Sequence, residues 1–135
     1  MQEKRVVFDV NIFVSYIIKD RMHEIFDMVF DSNIHLYSNS NMRDELKEVL
    51  GRPKFAKYLS APIEHYIDFF NKVTVTHNTV PIFKACADPK DNYLFDLAYQ
   101  TESNYLVSGD KKVLATPVKK SLQVVTLAAF KKMVP

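Results

Sequence analysis

The sequence predicts an α/β fold with a central parallel sheet of about five strands. Short β-branched or aromatic runs alternate along the chain with segments whose apolar residues recur near every 3.6 positions, the pattern of strands joined by helices. The 135 residues are 47% hydrophobic and 13% aromatic, enough to fill a core without disulfides or structural metal. No internal repeat, low-complexity tract or linker-like stretch interrupts the alternation, so one domain is expected over residues 1–135.

The first strand is placed at residues 5–8, where Val6-Val7-Phe8 forms an apolar run. Apolar spacing then predicts helices over 11–18 and 22–30, either one helix broken near Asp20 or two in succession. A second strand follows at 34–37 and a helix at 41–50, whose stripe is Met42, Leu46, Val49 and Leu50. A helix over 63–70 leads to a third strand at 72–76. The helix over 92–101 carries Leu94, Phe95 and Ala98 on one side and precedes the fourth strand at 105–107. A short turn at 111–115, a fifth strand at 123–125 and a helix at 127–133 complete the chain.

Composition removes several function classes. The only glycines are Gly51 and Gly109, which excludes a Walker loop and a GxGxxG dinucleotide turn, since both need clustered glycines to bring backbone to phosphate. The single cysteine, Cys86, excludes a disulfide framework and multi-cysteine zinc, and suggests a reducing compartment. His23, His35, His65 and His77 show no metal spacing. No apolar run approaches the ~18 residues of a membrane span, and Asp9 and Asn11 interrupt the segment where a signal peptide would be continuous, so a soluble cytoplasmic protein with no membrane partner is expected. The formal charge is +2, but its distribution is uneven: residues 1–50 hold six basic and nine acidic side chains, and residues 101–135 hold six and two.

In open α/β sheets ligands bind beyond the carboxyl ends of the strands, and acids recur there. Asp9 follows the first strand, where it either caps the next helix or serves a site. Asp110 follows the fourth strand in Ser108-Gly109-Asp110, where a surface turn is the simpler reading. Glu45 borders the apolar stripe of its helix, three residues after Met42 and four before Val49, so its carboxylate needs compensation by a salt bridge or a ligand. Asp91 stands at the core-facing corner of the helix carrying Leu94 and Phe95, while Asp88-Pro89 reads as an N-cap with proline at the first helical position. Asp96 falls on the side away from Asp91 and reads as solvated. Like charges near 4 Å repel by about 4 kcal/mol at an effective dielectric of about 20, so four acids at one rim call for a hard divalent cation. All-oxygen ligands favour Mg²⁺ or Mn²⁺ over Zn²⁺.

The set Val6-Val7-Phe8-Asp9-Val10-Asn11, Asp44-Glu45-Leu46, Asp88-Pro89-Lys90-Asp91-Asn92 and Leu106-Val107-Ser108-Gly109-Asp110 resembles, in order and spacing, the PIN-domain family of metal-dependent ribonucleases, in particular its VapC-like toxins. The resemblance covers nearly the whole chain. It implies a parallel sheet between two helical layers, and a pocket in which Asp9, Glu45, Asp91 and Asp110 bind one or two Mg²⁺ or Mn²⁺ ions. Asn11, Ser108 and Asp88 would be their hydrogen-bonding neighbours, and Asp96 occupies a place often acidic in relatives, which adds it as a further ligand. Many relatives carry another acid two residues after the last aspartate; here that position is Lys112.

The expected activity is hydrolysis of RNA phosphodiesters, with Lys111, Lys112, Lys119 and Lys120 on the phosphate backbone. The resemblance also implies an antitoxin protein as partner and a homodimer. The alternative is a catalytically weak or degenerate module that only binds RNA or protein, for which Lys112 is the sequence hint. A phosphohydrolase using Asp9 as nucleophile fits less well: haloacid-dehalogenase-like enzymes need a second aspartate where Asn11 stands, and a receiver-like domain needs one where His77 stands.

Overall fold

The sheet is built from β1 (Lys4–Phe8), β2 (Ile34–Ser38), β3 (Thr74–Thr76), β4 (Tyr105–Val107) and β5 (Gln123–Val125). In the computed structural model, which describes residues 3–134, the strands are all parallel and ordered β3-β2-β1-β4-β5. They are flanked by helices α1 (Val10–Ile18), α2 (Met22–Asp31), α3 (Ser40–Leu50), α4 (Ile63–Val73), α5 (Asn92–Gln100), α6 (Lys111–Leu114) and α7 (Leu127–Met133). The central position of β1 explains its run of Val6, Val7 and Phe8, all fully buried, because a strand covered on both faces cannot alternate. The chain leaves β1 towards β2 and β3 on one side and returns to β4 and β5 on the other. This reversal makes the carboxyl ends of β1 and β4 the switch point of the sheet, where a crevice opens.

Aromatic packing fixes the helices on that frame. The Phe8 ring lies 5.7 Å from both Phe13 of α1 and Phe130 of α7, and Phe13 meets Phe70 of α4 edge-on at 5.0 Å. Helix α5 packs on β1, β2 and β4 through buried Leu94, Phe95, Leu97 and Ala98. Among the described residues, no helix is long and apolar enough to cross a membrane.

The segments over 11–18 and 22–30 are two helices. Asp20 adopts φ 57°, its N–H donates to the Ile17 carbonyl and that of Arg21 to the Tyr16 carbonyl, which ends α1 in a Schellman motif and redirects the chain. The third strand corrects the sequence expectation of 72–76: Lys72 and Val73 belong to α4, and β3 spans only Thr74–Thr76. The stripe Tyr66, Phe70 and Val73 keeps the helix packed one turn longer, and the Thr74 hydroxyl, shared between the Phe70 carbonyl and Ser38, marks the exit. A 3₁₀ turn at Pro53–Tyr58, which periodicity did not show, follows α3.

Helix α3, which carries Glu45, is anchored by buried Asn39. Its Oδ1 accepts from the Met42 N–H at 2.9 Å, and its Nδ2 donates to Thr79 Oγ1 at 2.9 Å. Replacing this cap with alanine, Asn39→Ala, is expected to cost about 1 kcal/mol and lower the melting temperature by about 3 °C, with an unchanged urea m-value. An unchanged midpoint would show that the cap does not hold α3.

Candidate active site

Asp9 leaves β1 at the switch point and serves two structures at once. Its N–H donates to the Val107 carbonyl at 2.9 Å, which extends the β1–β4 pairing by one residue. Its Oδ1 accepts from the Asn11 N–H at 3.4 Å and caps α1. Its Oδ2 accepts from Ser108 Oγ at 2.7 Å, and Ser108 Oγ accepts in turn from the Asp110 N–H at 3.0 Å. Ser108 is fully buried, so this relay locks the turn after β4 against the turn after β1. Asp110 then caps α6 by accepting from the Lys112 N–H at 2.8 Å.

The other two acids come from the helices. Glu45 is half-buried on α3, and its Oε1 accepts from the Tyr93 hydroxyl of α5 at 3.1 Å. Asp88 opens the 3₁₀ turn Pro89–Asp91, accepting from the Lys90 N–H at 3.4 Å, and the turn delivers buried Asp91 directly before α5. Asp9, Glu45, Asp91 and Asp110 all line one cleft of about 250 Å³, together with Asn11, Glu48, Arg52, Asp88 and Lys90. Ser108 stands behind Asp9 rather than in the cleft lining.

Two groups predicted from sequence lie elsewhere. Asp96 does not join the cleft and is not solvated either: it is buried, and its Oδ1 accepts from the N–H groups of Ile82 at 3.1 Å and Phe83 at 2.8 Å. Five residues from Asp91 is about 140° around a helix, which turns it to a separate groove. Lys111, Lys112, Lys119 and Lys120 are exposed, and none lines the acid cleft; Lys111 and Lys112 border the hollow beside it, and Lys119 the larger groove with Asp96. The cations that do line the cleft are Arg52 and Lys90, which were not singled out by sequence, nor was Tyr93. The Glu48–Arg52 spacing of four and the place of Lys90 inside the Asp88–Asp91 motif were the available signals.

The electrostatics show what this gathering costs. Among the described residues, no lysine, arginine or histidine pairs with Asp9, Glu45, Asp91 or Asp110; Arg52 bonds Glu48 at 3.1 Å and Lys90 lies 3.8 Å from Asp88. Burial, then the negative charges of Asp9, Asp88, Asp110 and Glu45, push the Asp91 carboxyl up to about 6. Burial also raises Asp9 above its ordinary range, with the Asp110 charge adding to it and the Ser108 hydrogen bond opposing it. Glu45 is raised by burial, against the stabilising Tyr93 hydroxyl. The Tyr93 phenol is itself pushed far up by burial and the facing carboxylates, so it stays protonated and donates.

The donor set therefore fits a hard cation in chemistry: oxygen ligands only, partial burial and like charges in one cleft. It is not a preformed chelate. Among the described residues, no three His, Cys, Asp or Glu side chains converge closely enough to hold one ion. Bare carboxylates at 4 Å repel by about 4 kcal/mol at an effective dielectric of about 20, which disfavours convergence.

Comparison with known proteins decides the family, because residues 5–112, from the first strand to just past Asp110, match the family model of the PIN domain. The chain belongs to the PIN domain family. This is a nuclease family whose members are typically metal-dependent, and the ordered parallel sheet with acids at its switch point agrees with it. The chain is also 29% identical over 115 residues to an uncharacterised protein of Methanocaldococcus jannaschii, covering 82% of this chain and 74% of the relative. No solved structure gives a significant match. The match spans all four acids of this PIN domain and stops before Lys119 and Lys120.

Proposed function

We propose that this PIN domain is a metal-dependent endoribonuclease, and that it acts as the toxin of a toxin–antitoxin pair. One observation carries the nuclease reading: four carboxylates from separate parts of the chain share one cleft, and among the described residues none of them forms an ion pair, the cleft cations Arg52 and Lys90 lying on Glu48 and Asp88 instead. Asp9, Glu45, Asp91 and Asp110 are the residues that would hold Mg²⁺ or Mn²⁺, one ion or two. Bound there, the metal supplies an acidified water and stabilises charge on the attacking and leaving oxygens of the phosphodiester. Ser108 keeps Asp9 oriented, and Asp88 faces the exposed Lys90 ammonium at 3.8 Å on the cleft wall. The toxin role, an antitoxin partner and a homodimer are supported by the likeness of the motif order to VapC-like toxins.

Incubation with structured and single-stranded RNA in Mn²⁺, Mg²⁺ or EDTA tests the activity. Cleavage is expected with metal, not in EDTA, and is expected to vanish in Glu45→Gln. Cleavage that persists in EDTA or in that variant would sink the assignment.

Tyr93→Phe removes the hydrogen bond from the Tyr93 hydroxyl to Glu45 while keeping the ring. Loss of a partner that orients a metal-ligating carboxylate is expected to weaken Mn²⁺ binding by about 10-fold. Calorimetric titration with Mn²⁺ measures it, and equal affinity in wild type and variant would show that Tyr93 does not position Glu45.

A further inference from the structure

Two further concavities follow one another away from the acid cleft, the first beside it and the second beyond the first, and together they form a trough. The first, of about 260 Å³, lies between Ala85 and Ala87 on one wall and Lys111 and Lys112 on the other. It abuts the cleft on both walls, because the next residues in the chain, Asp88 and Asp110, line the cleft. The second, a groove of about 660 Å³, shares Pro117 with the first and runs between Phe83 and Lys119 over Tyr99 of α5.

Side chains pin both walls. Asp96 accepts from the Ile82 and Phe83 N–H groups, Gln100 makes reciprocal bonds of 2.9 and 2.7 Å with the Val80 backbone, and the Lys119 N–H donates to the Tyr99 hydroxyl at 3.0 Å. The walls meet where Cys86 Sγ lies 4.0 Å from the Lys112 carbonyl oxygen. The trough is therefore a built feature, although residues 77–86 form no helix or strand.

Its chemistry changes along its length. Beyond the acids come three exposed lysines, Lys111, Lys112 and Lys119, and the only acid lining this part, Asp96, is buried and already bonded. The groove is lined mainly by apolar atoms, with the half-buried rings of Phe83 and Tyr99 beside exposed Ile82. Exposed cations beside an apolar groove with aromatic rings suit a single nucleic-acid strand, since it carries phosphates and its unpaired bases have faces to shelter. A duplex offers phosphates but no free base faces. From Asp91 to Tyr99 the helical rise is about 12 Å, so the groove lies beyond the reach of a substrate held only at the scissile phosphate.

We infer that the RNA strand runs from the acid cleft along this trough, with Lys111, Lys112 and Lys119 on its backbone and the groove over Tyr99 receiving a base. This rests on the nuclease reading and extends it to the path of the substrate. The test is fluorescence anisotropy with labelled oligouridylates of three and twelve nucleotides and a twelve-base-pair RNA duplex, in the Asp9→Asn background with Mn²⁺. The triple substitution Lys111→Gln, Lys112→Gln, Lys119→Gln is compared with the pair Lys131→Gln, Lys132→Gln on α7.

The triple variant is expected to lower the slope of log affinity against log salt for the twelve-mer by about 2, at about 0.7 per lost phosphate contact, and to leave the three-mer nearly unchanged. The single strand is expected to bind more tightly than the duplex, and the α7 pair to change the slope less than the triple. An unchanged slope, an equal loss for both lengths, equal binding of the duplex, or no binding of the twelve-mer overturns the path. Metal-dependent RNA cleavage by the wild type alongside any of these leaves the nuclease reading standing. Absence of both cleavage and oligonucleotide binding brings down both.

Discussion

Asp9→Asn is expected to lower metal-dependent RNA cleavage by at least about 10²-fold while leaving the fold intact. The fold should survive because asparagine is as good an N-cap as aspartate, so its amide oxygen can still accept from the Asn11 N–H. The Ser108 hydroxyl, which now donates to Asp9 Oδ2, can rotate and accept from the new amide instead. What the change removes is one negative charge at the place where the turns after β1 and β4 meet. A charged metal ligand contributes several kcal/mol to stabilising the reacting phosphate, and about 3 kcal/mol corresponds to about 10²-fold in rate. The measurement pairs initial cleavage rates in Mn²⁺ with circular dichroism melts of both proteins. Retained activity with an unchanged melt would remove Asp9 from the site, whereas loss of both would show that it acts mainly as a cap.

Asp91→Asn is expected to stabilise the metal-free protein at pH 7 and to reduce its stabilisation by metal. The sign follows from the direction of the shift. Burial and four neighbouring acids hold the Asp91 carboxyl at about 6 in the fold, above its ordinary 3.8, so the folded state binds more protons than the unfolded chain between those values. Stability therefore falls as pH rises from about 4 to about 6, and above that the full cost of the charge is present. Two pKa units amount to about 3 kcal/mol, reduced to about 1–2 kcal/mol by solvent screening in an open cleft. Asp9 and Glu45 are shifted in the same direction and add to the slope.

Thermal melts of wild type and Asp91→Asn at pH 4.5, 5.5, 6.5 and 7.5, each in EDTA and in Mn²⁺, read this directly. In EDTA the variant is expected to melt about 3–6 °C above wild type at pH 7.5 and to show a flatter pH profile. In Mn²⁺ the wild type is expected to gain more than the variant. A variant less stable than wild type in EDTA at pH 7.5 would mean that Asp91 holds the structure together instead of straining it.

The position of an acid in the fold was legible from sequence where it follows a strand-like apolar run at once or after a short turn. Asp9 after Val7-Phe8 and Asp110 after Leu106-Val107-Ser108 sit at strand ends, and the parallel sheet brings strand ends together. Glu45 was legible because its helix stripe is regular, with Met42, Leu46, Val49 and Leu50 all buried in the structure. Asp96 was misplaced because family position and helical wheel pulled apart, and neither knew that the backbone at residues 82 and 83 would cross the helix and need an acceptor. The short β3 was misread because Lys72 and Val73 suit either a strand or the last turn of a helix, and packing of Val73 beside Phe70 chose the helix.

Periodicity and residue chemistry, which are local properties, determined the α/β class, the places of the main elements, the four acids at one rim and the absence of glycine-built phosphate loops. Tertiary structure alone decided which side chains those acids meet. Ser108 behind Asp9, Tyr93 on Glu45 and the cations Arg52 and Lys90 in the cleft come from positions far apart in sequence or from side-chain directions that spacing leaves free. It also decided that Lys111, Lys112 and Lys119 border a trough outside the acid cleft, because α6 starts at Lys111 just after its cap Asp110, and Lys119 is held beside α5 by its N–H bond to the Tyr99 hydroxyl.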